Sequence, residues 1–364
     1  MPQGKLTLPV LSGVPDDDPW ERPYLKAPKM EAKEEVSFPM VDIRTELFGD
    51  QRDDNIERQI KFLQTHGFTA IRHQTQLRDV ADFDNVEKLD DIYFPEVQDL
   101  VKRVTGAKHV FITNSMIRKS ASPSDNHAKP PAQPAPLVAS RTGVALMSNR
   151  IPPARVAHLD YTPLGARQVI RSWRKDINEK AVEKGIIAAE DALCANHGVD
   201  AACEGSDHII AEGYNTPSSD ATRYAAFSVW RPLATVQRDP LAMLPARDFE
   251  RHTSAGDSPF VCSTYDIKVP GDKALGGDFL RQLGMLKVKR VDKAQIEKAS
   301  EDLKWYYIDR QTADEIMIVK FFDSLALGKD AVEAQAPIHG SPDVEGSEGG
   351  EARQSIEVRC VGIW

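Results

Sequence analysis

RVAHLDY (155–161), closed by Thr162-Pro163, reads as a strand with a polar stop. Side chains two apart on a strand share a face, so His158 and Asp160 present an imidazole and a carboxylate side by side. An H-x-D triplet is common in chains of this size, so its weight depends on what the rest of the chain adds. His339 follows Pro337-Ile338, 181 residues downstream (339 − 158). Fourteen residues later come Arg353 and Ser355, again two apart on a strand-like run, RQSIEVRCVGIW (353–364).

Two imidazoles and one carboxylate on facing strands form a facial triad that leaves three metal positions open, the need of a non-heme Fe(II) oxygenase. A guanidinium fork beside a hydroxyl suits the remote carboxylate of a dicarboxylate such as 2-oxoglutarate. We therefore take His158, Asp160 and His339 as the catalytic and metal-binding set, with Arg353 and Ser355 binding the co-substrate. His252 is the alternative third ligand, and Arg359 is read either as the alternative clamp or as half of an Arg–Glu pair within the sheet.

The surrounding pattern supplies the scaffold. Residues 1–40 are rich in Pro, Asp and Lys and are expected as an extended arm docked on the body. Residues 41–364 are expected as one domain. DDNIERQIKFLQT (53–65) predicts an amphipathic helix opened by an Asp cap and stopped by Gly67, followed by a strand over 68–72. Residues 85–105 read as one long helix with a possible break at Pro95, ending at Gly106. KHVFITNSMI (108–117) is β-branched and aromatic, hence a strand. SASPSDNHAKPPAQPAPL (120–137) is a Pro/Ser-rich loop holding a solvated His127.

A helix over 165–185 and short helical pieces to 212 make up a helical insertion of about 163–222. Strands are expected at 224–230, 233–237, 260–267, 304–308, 315–322 and 355–363, with a short helix at 294–303. The fold class is α+β: a jelly-roll, cupin-like core with flanking helices.

Composition is that of a globular protein, 41% hydrophobic and 28% charged, with net charge −9. That balance argues against nucleic-acid partners. No apolar run approaches the ~20 residues of a membrane helix, so no membrane partner is expected. MPQGKLTLPVLSGVPDDDPW lacks a signal-peptide core, and four cysteines do not make a disulfide framework. Both features point to the cytoplasm.

HLDYTPLGAR (158–167), RYAAFSVWRPL (223–233), QRDPLAML (237–244), WYYIDRQTADEIMIVKFFDS (305–324) and the tail 353–364 together resemble the fungal AsaB-like hydroxylase/desaturase family, related to the cephalosporin methoxylation protein CmcJ and to gibberellin desaturase. The resemblance implies a double-stranded β-helix dioxygenase of secondary metabolism that uses Fe(II), 2-oxoglutarate and O2. It implies oxidation of an unactivated C–H by hydroxylation, desaturation or oxidative cyclisation, and the same ligand and clamp residues.

Other residues offer chemistry of their own. Arg223, Trp230 and Arg231 are candidate substrate contacts, suited to a small-molecule substrate carrying a carboxylate. Arg118 is a further candidate for the pocket. Asp323-Ser324 and Lys320 read as a cap and a buried ion pair. Cys194, His197, Cys203 and His208 match no common zinc spacing. A homo-oligomer is compatible with the sequence. The rival readings are a cupin-like metalloenzyme without 2-oxoglutarate and a non-catalytic jelly-roll binding protein.

Overall fold

The structure is a computed structural model, which describes residues 1–13, 16–49, 55–119, 138–147, 152–214, 223–254 and 256–364. In chain order the strands are β1 (Gln3–Pro9), β2 (Lys33–Asp42), β3 (Phe68–Arg72), β4 (His109–Arg118), β5 (Val138–Ala139), β6 (Ala145–Met147), β7 (His158–Leu159) and β8 (Tyr224–Pro232). They continue with β9 (Ala242–Leu244), β10 (Phe260–Val269), β11 (Phe279–Val288), β12 (Trp305–Tyr307), β13 (Glu315–Asp323), β14 (Ile338–Gly340), β15 (Asp343–Val344) and β16 (Ser355–Ile363).

They form two sheets. One runs β10-β11-β7-β14-β9-β12-β2-β1-β15, the other β3-β13-β8-β16-β4-β6-β5. The second sheet carries the longest apolar strands, and alternation sorts their side chains. Ala225, Phe227, Val229, Ile316, Ile318, Ile356 and Val358 pack outward under the helix Phe94–Thr105. Trp230, Met317, Val319 and Phe321 face inward and meet Met243, Ile267 and Leu283 of the first sheet. This is the jelly-roll core, a sandwich whose inner layer also holds the polar site.

The outer helix buries Phe94, Val97, Leu100, Val101 and Val104, the spacing of one helical stripe, and ends at Gly106 with φ 77°. The expected long helix over 85–105 is divided: Val86–Lys88 leads through a π-turn at Leu89–Tyr93 into Phe94–Thr105, whose first turn holds Pro95. The helix at Ile56–His66 is capped by Asn55, whose side chain accepts from the Arg58 N–H at 3.1 Å. The expected Asp cap lies outside the described residues, as does the loop 120–137 with His127.

Three differences bear on the site. The strand read over 155–161 shrinks to His158–Leu159, because Thr162 already caps the next helix by accepting from the Gly165 N–H at 3.0 Å, and Pro163 begins it. Residues 233–237 form no strand: Pro232 ends β8, and pairing resumes with Ala242–Leu244. FLRQLGMLKV (279–288), which the sequence reading passed over, is a full strand between β10 and β7.

Residues 1–40 are more than a docked arm. β1 pairs along its length with β2, and β2 runs on to Asp42 beside β12. The span 163–222 contains helices Pro163–Ser172, Lys175–Glu183, Ile186–Ala195 and Ser206–Tyr214, the first two split at Trp173-Arg174.

Candidate metal centre and its two cavities

β7 lies between β11 and β14, and its register sets His158 directly opposite His339. The two rings lie 4.5 Å apart between centroids. Asp160 sits in the bend just beyond β7, where the chain turns into the helix at Pro163. One ligand atom from each of His158, Asp160 and His339 lies within 4.8 Å of the others, the one such group found among the described residues. His339 Nε2 is 3.2 Å from Asp160 Oδ2.

The surroundings prepare these groups for a cation. His158 Nδ1 faces the Val156 carbonyl at 2.8 Å, and His339 Nδ1 faces that of Pro337 at 3.2 Å. Each Nδ1–H thus donates to backbone and each Nε2 lone pair is left for a metal. Burial, with the neighbouring His339, pulls the His158 pKa down to about 4, so this imidazole is neutral at pH 7. Burial opposes ionisation of Asp160, but the Arg359 guanidinium outweighs it and holds the carboxyl well below its ordinary range. Arg359 binds Asp160 Oδ1 at 3.0 Å and Glu357 at 2.7 Å, which leaves Oδ2 turned toward His339. The Phe321 ring stacks on His339 from the opposite sheet, at 5.4 Å and 9°. Two imidazoles and one ionised carboxylate, fixed by outer partners, fit Fe(II).

Two cavities meet at this group, and His158 and Asp160 line both. The smaller also touches Trp230, Ser341, Arg353 and Glu357. Arg353 donates from Nη1 to the Asp239 carbonyl at 2.6 Å and to Ser341 Oγ at 2.7 Å, and its guanidinium lies 5.1 Å from the centroid of the Trp230 ring. Its Nε and the nearby Ser355 Oγ are buried without partners. Burial, with Arg118 nearby, pushes the Arg353 pKa down to about 9. A carboxylate docked here would supply the missing charge. Ser341 was not foreseen, although it lies two residues beyond His339.

The larger cavity is walled by β10, β11 and the segment holding Leu25 and Met30. Arg118 and Arg359 line it, and Arg118 reaches the smaller cavity as well. Arg281 and Trp173 also line it, and neither figured among the sequence candidates.

Two candidate substrate contacts are corrected. Arg223 pairs with Asp323 at 2.6 Å and Glu333 at 3.1 Å and stacks on Trp364. Arg231 is 2% exposed and donates to the His73 and Ala313 carbonyls at 3.0 and 2.7 Å. Alternation along β8 explains both: Trp230 and Ser228 face the cavity, so Arg231 faces the opposite side. Trp230 belongs to the smaller cavity, not the larger. Asp323 accepts from the Leu325 N–H and pairs with the buried Lys320 at 3.0 Å, a cap and an ion pair. His252 faces Ser258 and the Ala299 carbonyl, far from the other ligands in the fold. Cys194 is buried in a small apolar cluster with Ala201, Ile209 and Ile210.

Comparison with known proteins places the chain. A family profile described as "Oxidoreductase/YMDC permease-like domain" matches residues 16–187 and 278–363. The chain belongs to this oxidoreductase family. Its curated relatives include Oxidoreductase chry3 of Gibberella zeae, 29% identical over 95% of this chain and 94% of that protein. The Gibberellin cluster GA4 desaturase of Gibberella fujikuroi is 26% identical, over 83% of this chain and 82% of that one. The Fe(II)/2-oxoglutarate-dependent dioxygenase nvfI of Aspergillus novofumigatus is 26% identical over 82% and 77%. Together with Hydroxylase/desaturase asaB of Aspergillus flavus, they bear out the AsaB-like kinship. A solved structure of the endoperoxidase NvfI superposes with TM-score 0.51 at 21% identity, covering 99% of this chain and 97% of that one, which shows the shared fold. No helix among the described residues is long and apolar enough to cross a membrane.

Proposed function

We propose that this protein is an Fe(II)/2-oxoglutarate-dependent oxygenase that oxidises an unactivated C–H of a small secondary-metabolite substrate. The observation that carries the reading is the His158–Asp160–His339 group at the meeting point of two cavities. A non-catalytic binding protein has no need of two buried imidazoles turned on one carboxylate.

His158, Asp160 and His339 would hold the iron, which with 2-oxoglutarate and O2 supplies the oxidising power for C–H cleavage. The chain's own residues do the rest. Arg353, with Ser341 and Ser355, would grip the remote carboxylate of 2-oxoglutarate, and Trp230 forms a wall of its chamber. Arg359 keeps Asp160 ionised and oriented. The apolar lining of the larger cavity excludes water around the substrate.

Hydroxylation, desaturation or ring closure would each be open to a substrate held beside His158, Asp160 and His339. A cytoplasmic setting is proposed from the four free cysteines, and a homo-oligomer is compatible with the sequence.

The function is tested by incubating iron-loaded protein with 2-oxoglutarate and O2 and following succinate. Slow substrate-independent succinate formation is expected, and His339→Ala should abolish it while circular dichroism stays unchanged. Full turnover by a folded His339→Ala variant would contradict the assignment.

A further inference from the structure

Resting on this reading, the geometry points to Arg281 as the anchor for an anionic group, a carboxylate above all, on an otherwise apolar substrate in the larger cavity. Arg281 lies on β11, only 3% exposed. Its neighbours in alternation, Leu283 and Met285, line the same cavity, as does Ile267, its register partner on β10.

A buried guanidinium normally has a carboxylate partner. Among the described residues Arg281 has none. Its Nε is buried with no hydrogen-bond partner. What surrounds it is aromatic: its Cζ lies 5.1 Å from the centroid of the Tyr161 ring and 5.9 Å from that of Trp173. These rings stabilise a cation without occupying its hydrogen-bonding edge. Arg359, the other strongly cationic group of this wall, is already committed to Asp160 and Glu357. Arg118 donates to the Pro152 carbonyl at 2.6 Å. Arg155 pairs with Asp239. Among the described arginines lining this cavity, Arg281 is the one whose Nε is buried without a partner, so its fork is left for a ligand.

Position strengthens the assignment. Met285 is the register partner of His158. Arg281 lies four residues further along β11, roughly 13 Å of strand at about 3.4 Å per residue. An anion held there leaves a small organic skeleton lying along Leu283 and Met285, with its far end toward the metal. Leu25 and Met30 cover it from the N-terminal segment, which is pinned by the Arg22 guanidinium on the Asp266 carbonyl at 2.8 Å. The substrate class that fits is an amphiphilic monoacid with an aromatic or aliphatic body.

Equilibrium dialysis of the full chain tests this with three acids, 2-naphthoate, decanoate and N-acetylphenylalanine, each beside its primary amide. Binding is measured under anaerobic Fe(II) with saturating 2-oxoglutarate, so the Arg353 site is filled, and again on metal-free protein. At least one acid should bind tenfold or more tighter than its amide. Arg281→Met should erase that preference and Arg281→Lys should restore part of it, with 2-oxoglutarate affinity unchanged. Arg281→Gln serves if the methionine variant does not fold. No preference for any acid in the wild type, or a preference that survives loss of the guanidinium, overturns the proposal. If the acids are preferred but iron and 2-oxoglutarate give no visible complex, the anchor stands and the oxygenase reading falls.

Discussion

Arg359 shows how one side chain can set a metal site it does not enter. It binds one oxygen of Asp160 and one of Glu357, and both carboxylates are buried. Removing it leaves two carboxylates without their cation, at a cost of about 3–5 kcal/mol. It also frees Asp160 to rotate. Arg359→Ala should therefore lower the melting temperature of the metal-free protein and weaken Fe(II) binding by roughly 10- to 100-fold. Calorimetric titration with Fe(II) measures the second effect, and an unchanged affinity would show that Asp160 needs no orienting partner. At this scale the sequence was informative about which residues gather: His158, Asp160 and His339 meet in one group, although Asp160 reaches it from the bend beyond β7 rather than from the strand itself. It was silent where contact crosses sheets. Arg359 was read as an alternative clamp or as half of an Arg–Glu pair within the sheet, and the Glu357 pair is present; its grip on Asp160, which joins residues 199 apart in number (359 − 160), was not foreseen.

The elements around the site are placed by close approach rather than by propensity. Gly165 opens the helix that follows Asp160, and a Cβ there would lie 2.1 Å from the Gln282 carbonyl oxygen of β11. The same carbonyl accepts from the Thr162 N–H at 3.3 Å. The turn after Asp160 is thus sewn to the strand that carries Arg281. Gly165→Ala must push helix and strand apart, an overpacking cost of about 1–3 kcal/mol. The expected outcome is a lower melting temperature together with weaker Fe(II) binding; a variant with wild-type values of both would mean the turn is supported elsewhere. The strand β11 also shows why part of the fold escaped the sequence reading. FLRQLGMLKV has a single β-branched residue, Val288, and carries Arg, Gln and Lys. Its strand state is imposed by pairing along its whole length with β10, a tertiary effect that local pattern does not record. β13 and β16, by contrast, are β-branched runs buried at every position, and such segments are legible alone.

At the scale of the molecule, an acidic chain encloses a cationic interior. The net charge is −9, yet Arg281, Arg353 and Arg359 are all buried around the two cavities. Asp160 and Glu357 meet Arg359 from within the chain, and carboxylates from outside would meet Arg353 and Arg281. The order of motifs along the sequence made the iron and co-substrate chemistry legible. The division into two chambers was not, because it depends on how β7, β11 and the N-terminal segment pack. The central claim is that His158, Asp160 and His339 bind iron while Arg353 secures 2-oxoglutarate beside it. Anaerobic addition of Fe(II) and 2-oxoglutarate to the metal-free protein tests this most directly. The account predicts a visible metal-to-ligand charge-transfer band in the wild type, and at least tenfold more 2-oxoglutarate to reach it in Arg353→Ala. A folded wild-type protein that shows no such band would contradict it.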